Sequence, residues 1–154
     1  MRGAFITITA ICLLSVAKPG FAQALDETLV LDHVGIQAVD LERSVAFYTQ
    51  VLSFKEVTAP FPKTAARWIE VGDGRRLHIV AGGSATADHN KWDHFALSCR
   101  DIAKVEADLD RLNVRWTSMD GRRATDTRPD GTQQIFIRDP DGYSIEINDG
   151  LRRR

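Results

Sequence analysis

Two stretches of this 154-residue chain open alike and continue alike. "LDHVGIQAVDLERSVAFYTQVLSF", residues 31–54, sets Asp32-His33 at the head of an apolar run. "WDHFALSCRDIAKVEADLDRL", residues 92–112, sets Asp93-His94 at the head of another. Each run reads as a strand and leads into helical spacing. Leu41, Val45, Tyr48 and Leu52 carry that spacing in the first copy, and Ile102, Val105, Leu109 and Leu112 in the second. Asp40 and Asp101 stand where each helix takes its N-cap. Three short strands then follow in each copy: "FKEVTA", "ARWIEVG" and "RLHIVAG", then "VRWT", "QQIFIRD" and "YSIEIND". Tight-turn signals join the last two of each set, at Gly72-Asp73-Gly74 and at Pro140-Asp141-Gly142. A short apolar run alone does not separate strand from helix, but the same order met twice checks itself. The chain is therefore expected to be α+β, with two β-α-β-β-β units at about 31–81 and 92–149 in a single domain spanning 30–150. The small and polar residues from Gly82 to Lys91 link the units, and "SMDGRRATDTRPDG" lengthens the second.

The copies match in their polar residues too. Gly74 precedes His78 by four residues, and Gly142 precedes Glu146 by four. Strand alternation puts Ser144, Glu146 and Asn148 on the face opposite Tyr143, Ile145 and Ile147, and separates His78 from Leu77 and Ile79. His33 and His94 alternate in the same way with their apolar neighbours. Three of the chain's 4 histidines thus occupy matched places, with Glu146 as the fourth. Imidazole and carboxylate suit first-row divalent ions. If the units curl around a common cleft, His33, His78, His94 and Glu146 can line it, and a bound ion would keep net positive charge to polarise a carbonyl or a water. A lone histidine at a strand head is more often structural, and on that reading backbone carbonyls satisfy all three rings.

The ends and the charge narrow the setting. "MRGAFITITAICLLSVAKPGFAQA" has one early cation, an apolar stretch from Ala4 to Val16 and small residues near Gly20, Ala22 and Ala24. That order reads as a secretory signal peptide over residues 1–24, cleaved after Ala22 or Ala24, so the mature chain is expected to be periplasmic or secreted. The apolar stretch is shorter than the roughly 20 residues a membrane span needs. Cys12 falls in the leader, leaving Cys99 alone and no intrachain disulfide. A net charge of −1 with mixed signs offers no field for nucleic acid or an anionic membrane. Arg152 to Arg154 form a basic tail, expected to be solvated.

"LDHVGIQAVDLERSVAFYTQVLSF", "DHFAL" and "IRDPDGYSIEI" together resemble the vicinal oxygen chelate superfamily, the glyoxalase, bleomycin-resistance and extradiol-dioxygenase group. The resemblance covers Leu31 to Asp149. It implies an open, incomplete barrel around a cleft, metal ligands on the first and fourth strands of each unit, and a homodimer, in some members with clefts built from two chains. Here those ligand places hold His33 and His78, then His94 and Glu146. The ion is expected to be zinc, nickel, manganese, iron or cobalt.

The reaction is less defined. Glyoxalase I-like members carry glutamate where His78 stands, and use a carboxylate near the metal to move a proton between adjacent carbons. Glu146 is the expected ligand with acid–base duty, and His78 a ligand or a base. The leading expectation is a lyase or isomerase acting on a small oxygenated organic molecule. The alternatives are an extradiol-type dioxygenase using His33, His94 and Glu146, or a non-enzymatic binder of a small molecule or metal, with Trp68, Trp92 and Trp116 as contact area or as plain core. Fosfomycin-resistance transferases suggest a cationic pocket, for which Arg122, Arg123 and Arg128 are candidates or plain surface charge.

Overall fold

The computed structural model describes residues 29–153, so the leader expected over residues 1–24 lies outside the described residues. Leu31–Arg154 forms one compact unit. The first copy supplies β1 (His33–Ala38), α1 (Leu41–Ala46), β2 (Lys55–Val57), β3 (Ala66–Gly72) and β4 (Arg75–Ala81). The second supplies β5 (His94–Ser98), α2 (Ile102–Arg111), β6 (Trp116–Thr117), β7 (Asp126–Thr127), β8 (Gln133–Arg138) and β9 (Ser144–Asn148). The sheets run β1-β4-β3-β2 and β5-β9-β8-β6, with β7 added against β8. Both are open, and the strand order is the same in each. A helix leads out of β1 and β5 alike, and each of these strands lies parallel to the last strand of its unit.

The repeat extends to register. Gly35 pairs with His78 and Ala96 pairs with Glu146, while His33 and His94 each lie two residues earlier on the same face. Across the other edge, Trp68 pairs with His78 and Phe136 with Glu146. Each helix is capped as its sequence suggests: Asp40 accepts from the Arg43 amide at 3.1 Å, and Asp101 from the Lys104 amide at 3.0 Å. Each helical stretch also gives way to a left-handed residue, Ser53 (φ 58°) and Asn113 (φ 55°).

Two local features differ from the sequence reading, and the tryptophans part ways. The first helix is α-helical only to Ala46, and Phe47–Val51 continues as a widened π turn. The lengthened segment of the second unit contributes β7 as well as loop. Trp116 is core at 7% exposure, whereas Trp92 stands in solvent at 77%.

The core lies behind the polar faces. Ile36, Ile69, Leu77, Ile79, Ile135, Ile137, Ile145 and Ile147 join with Val45, Tyr48 and Leu109 from the helical segments. Burying each large aliphatic side chain contributes about 1.5–3 kcal/mol. One polar staple fastens α1 to the β8–β9 turn. The Tyr48 hydroxyl, fully buried, donates to Asp139 at 2.8 Å. Ser44 bonds Asp141, whose carboxylate also takes the Val39 amide at 2.8 Å. The Asp-Pro-Asp-Gly-Tyr turn therefore ties the two units together, and Gly142, at φ 93°, supplies a conformation that side chains resist. Among the described residues no helix is long and apolar enough to cross a membrane.

Candidate functional site

The structure gathers the four residues into two pairs. His33 and His78 form one, on the face of the first sheet away from the core. Their ring centroids lie 5.7 Å apart at 76°. His94 and Glu146 form the other, on the second sheet, with Nε2 of His94 at 3.2 Å from Oε2 of Glu146. Among the described residues no group of three or more histidine, cysteine or acidic side chains converges to hold an ion. Among the described residues, then, the two pairs stand as separate sites.

Each histidine at a strand head is oriented by a neighbour. Nδ1 of His33 lies 2.6 Å from Oδ2 of Asp32, and this hydrogen bond is the main reason the Asp32 carboxyl is held below its usual range. Nδ1 of His94 lies 2.7 Å from the carbonyl of Lys91. A carbonyl only accepts, so Nδ1 of His94 carries the proton, and an ionised Asp32 places the proton of His33 likewise. With the proton of each ring on Nδ1, Nε2 is the nitrogen free to ligate, the arrangement that metal-binding histidines adopt. The two Asp-His pairs do different work: Asp93 takes the Asn90 side-chain amide at 2.7 Å instead of its adjacent histidine.

The His94–Glu146 contact is informative. A neutral Nε2 and a carboxylate oxygen are both acceptors, and at 3.2 Å they repel unless a proton or a cation lies between them. Two ligand atoms each about 2.1 Å from one ion stand roughly 3.0–3.4 Å apart at octahedral or tetrahedral angles. Two imidazoles on one ion place their centroids roughly 4.5–6 Å apart, which His33 and His78 satisfy. His78 adds an orphan: its Nε2 is buried without a hydrogen-bond partner. Burial first, and the nearby His33 second, push its pKa down, which keeps the ring neutral and able to ligate. Each pair fits half of a divalent-metal site.

The surroundings support this. Glu146 is 6% exposed and accepts from the Asn148 amide at 2.7 Å. Ser98 and the Gly150 amide both donate to Oδ1 of Asn148, which fixes the amide with its NH2 toward Glu146. Of the three arginines in the lengthened segment, Arg128 alone reaches the pair, with Nη1 at 3.5 Å from Glu146. Arg122 pairs with Asp120, and Arg123 bonds Asp110 while lying 3.8 Å over Trp116. Beside His78, Phe61 stacks at 5.3 Å and Trp68 packs edge-on at 5.9 Å. Asn148 and Trp68 were findable by alternation and cross-strand pairing. Lys91 was not, because its backbone carbonyl orients His94 from a stretch that reads as linker.

Comparison with known proteins agrees with this architecture. A family model described as the Glyoxalase/Bleomycin resistance protein/Dioxygenase superfamily matches residues 30–147. "Glyoxylase I 4" of Arabidopsis thaliana is 26% identical over 124 residues, covering 76% of this chain and 68% of that protein. A lactoylglutathione lyase of Salmonella typhimurium is 28% identical over 123 residues, covering 75% and 88%. The crystal structure of a putative glyoxalase family protein from Bacillus anthracis superposes with a TM-score of 0.66 at 22% identity, covering 81% and 98%, and shares the fold.

Proposed function

Given that the chain belongs to the Glyoxalase/Bleomycin resistance protein/Dioxygenase superfamily, we propose that it is a divalent-metal protein whose site is completed across a homodimer. It acts on a small oxygenated organic molecule by lyase or isomerase chemistry. The observation that carries this reading is the pairing itself. His33 with His78, and His94 with Glu146, each have the spacing of half a ligand set, and among the described residues the two halves do not converge. A two-fold dimer sets the first half of one copy against the second half of the other, twice. The bound ion supplies electrostatic stabilisation for negative charge developing on a substrate oxygen.

The chain's own residues divide the rest. His33 and His94 present Nε2 from rings locked by Asp32 and the Lys91 carbonyl. His78 is neutral and buried at Nε2. Glu146 is the carboxylate of the set and the proton carrier, with Asn148 holding its Oε1 and leaving Oε2 toward the site. Phe61 and Trp68 shield the His78 side from water. Residues 1–24 read as a leader, so we place the working protein in the periplasm or outside the cell. Detection of an unprocessed chain in the cytosolic fraction contradicts that placement.

Metal analysis of tag-free protein, run with light scattering, tests the central reading. One divalent ion per chain in a dimer is expected. A monomer that takes up no ion on reconstitution overturns it. Turnover of a thiohemiacetal panel by the loaded dimer then identifies the reaction.

A further inference from the structure

A cavity of about 340 Å³ adjoins the His94–Glu146 pair. It opens beside the face of β8 and β9 that carries Glu146. Lys91, Arg115, Thr117, Phe136, Arg138 and Ser144 line it, and no carboxylate does. The volume is at the lower end of the roughly 300–1,000 Å³ of small-molecule sites. Its connection to the pair is direct: Ser144 is the register partner of His94, Phe136 is that of Glu146, and the Phe136 ring meets His94 at 5.6 Å.

No carboxylate among the described residues pairs with the cations around it. Lys91 is tethered by the carbonyls of Ser118 and Met119, at 3.1 and 2.7 Å. Arg138 is tethered by the carbonyls of His89 and Gly142, each at 2.5 Å. Carbonyls orient a cation without cancelling it. Arg115 makes no ion pair with any described residue. The cavity wall also holds a hydroxyl with nothing to bond: Ser144 is 1% exposed, and its Oγ has no hydrogen-bond partner. A buried polar atom without a partner carries a desolvation cost that a bound ligand relieves.

We infer that this cavity is an oxyanion subsite, which holds the phosphate or carboxylate of a small organic anion among Lys91, Arg115, Arg138 and the Ser144 hydroxyl. It rests on the metal reading only for its neighbour. A ligand anchored there extends past Phe136 toward His94 and Glu146, so the subsite selects anionic substrates for that site.

The test is a titration of the chelator-treated, metal-free full chain with inorganic phosphate and separately with acetate, followed by amide NMR. Saturable shifts at Lys91, Thr117 and Ser144 are expected with at least one anion, and the better binder distinguishes a phosphoryl from a carboxylate ligand. Arg115→Gln should weaken that binding about tenfold, as the loss of one charge-assisted contact does. Ser144→Ala should weaken it severalfold without lowering the melting temperature, because an unpartnered buried hydroxyl gives the fold nothing. Arg111→Gln, on the surface of α2, should change nothing. No saturation with either anion, or parent-like affinity in either subsite variant, overturns the inference. Glu146→Gln separates the two readings: the subsite keeps its anion whether or not the protein takes up metal.

Discussion

Replacing Tyr48 with phenylalanine tests the staple that holds the two units in register, and the structure sets the size of the effect. Tyr48 is 0% exposed and Asp139 is 5% exposed, so their 2.8 Å hydrogen bond is shielded from water. Asp139 also accepts from the amides of Asp141, at 3.0 Å, and Tyr143, at 2.8 Å. Burial pushes the Asp139 carboxyl above its ordinary value, and the Tyr48 hydroxyl is foremost among the donors that pull it back down. The substitution removes a donor to a buried carboxylate, and should cost about 1.5–3 kcal/mol at pH 7. For a domain of this size that is a fall in Tm of roughly 6–11 °C. The sign with pH follows. Without Tyr48 the folded carboxyl has a still higher pKa, so stability falls further behind the parent as pH rises through it. Below that pKa the partner is neutral, and the loss should shrink to about 0.5–1.5 kcal/mol. Urea unfolding followed by circular dichroism at pH 7 and through a series of lower pH values measures both. A loss under about 0.5 kcal/mol at pH 7, or one that does not shrink as the pH falls, refutes the reasoning.

Glu146→Gln keeps the volume and removes the charge, so metal affinity should fall by about 10²-fold or more, while the metal-free protein melts no lower than the parent, as dialysis and calorimetry would show. His78→Ala should weaken metal binding if the ring is a ligand. If it is a base beside the metal, occupancy should persist while turnover falls by roughly 10²–10⁴. Glu56, whose pKa is lowered chiefly by its hydrogen bond from Arg67, and Asp120, held at about 2 by Ser118 and Arg122, are depressed in the folded state. Their stabilisation is present above the unfolded carboxylate range and lost as pH falls through the folded values. Denaturant midpoints of metal-free protein should therefore decline from about pH 4.5 toward pH 2, and a flat profile there contradicts the assignment.

The repeat made most of the fold legible. Matched caps at Asp40 and Asp101, matched turns at Gly72–Gly74 and Pro140–Gly142, and alternation around Glu146 all act within a few residues, and local pattern reports local geometry. The same alternation gave the face of each candidate ligand. It carried no information on which faces meet, because that depends on how two finished sheets are fastened. The fastening is done by Tyr48, Asp139, Ser44 and Asp141, residues about 90 to 100 positions apart whose pairing has no periodic signal. The widened turn at Phe47–Val51 was hidden for a related reason: Leu41, Val45, Tyr48 and Leu52 run through it at ordinary α-helical spacing. Arg122, Arg123 and Arg128 looked alike in sequence. Only the pairing of β7 with β8 sets Arg128 beside Glu146 and leaves the other two on their own carboxylates.

Subunit complementation tests the shared site most directly. His33→Ala/His78→Ala removes one half of the ligand set, and His94→Ala/Glu146→Gln removes the other. Each variant alone should bind no metal above background. In a mixed dimer one site inherits all four substitutions and the other inherits none. Equal mixing with free subunit exchange makes half the dimers mixed, so metal content should recover to about a quarter of the parent's. Metal that stays at background in the mixture, with mixed dimers confirmed by mass, would contradict a site shared between chains.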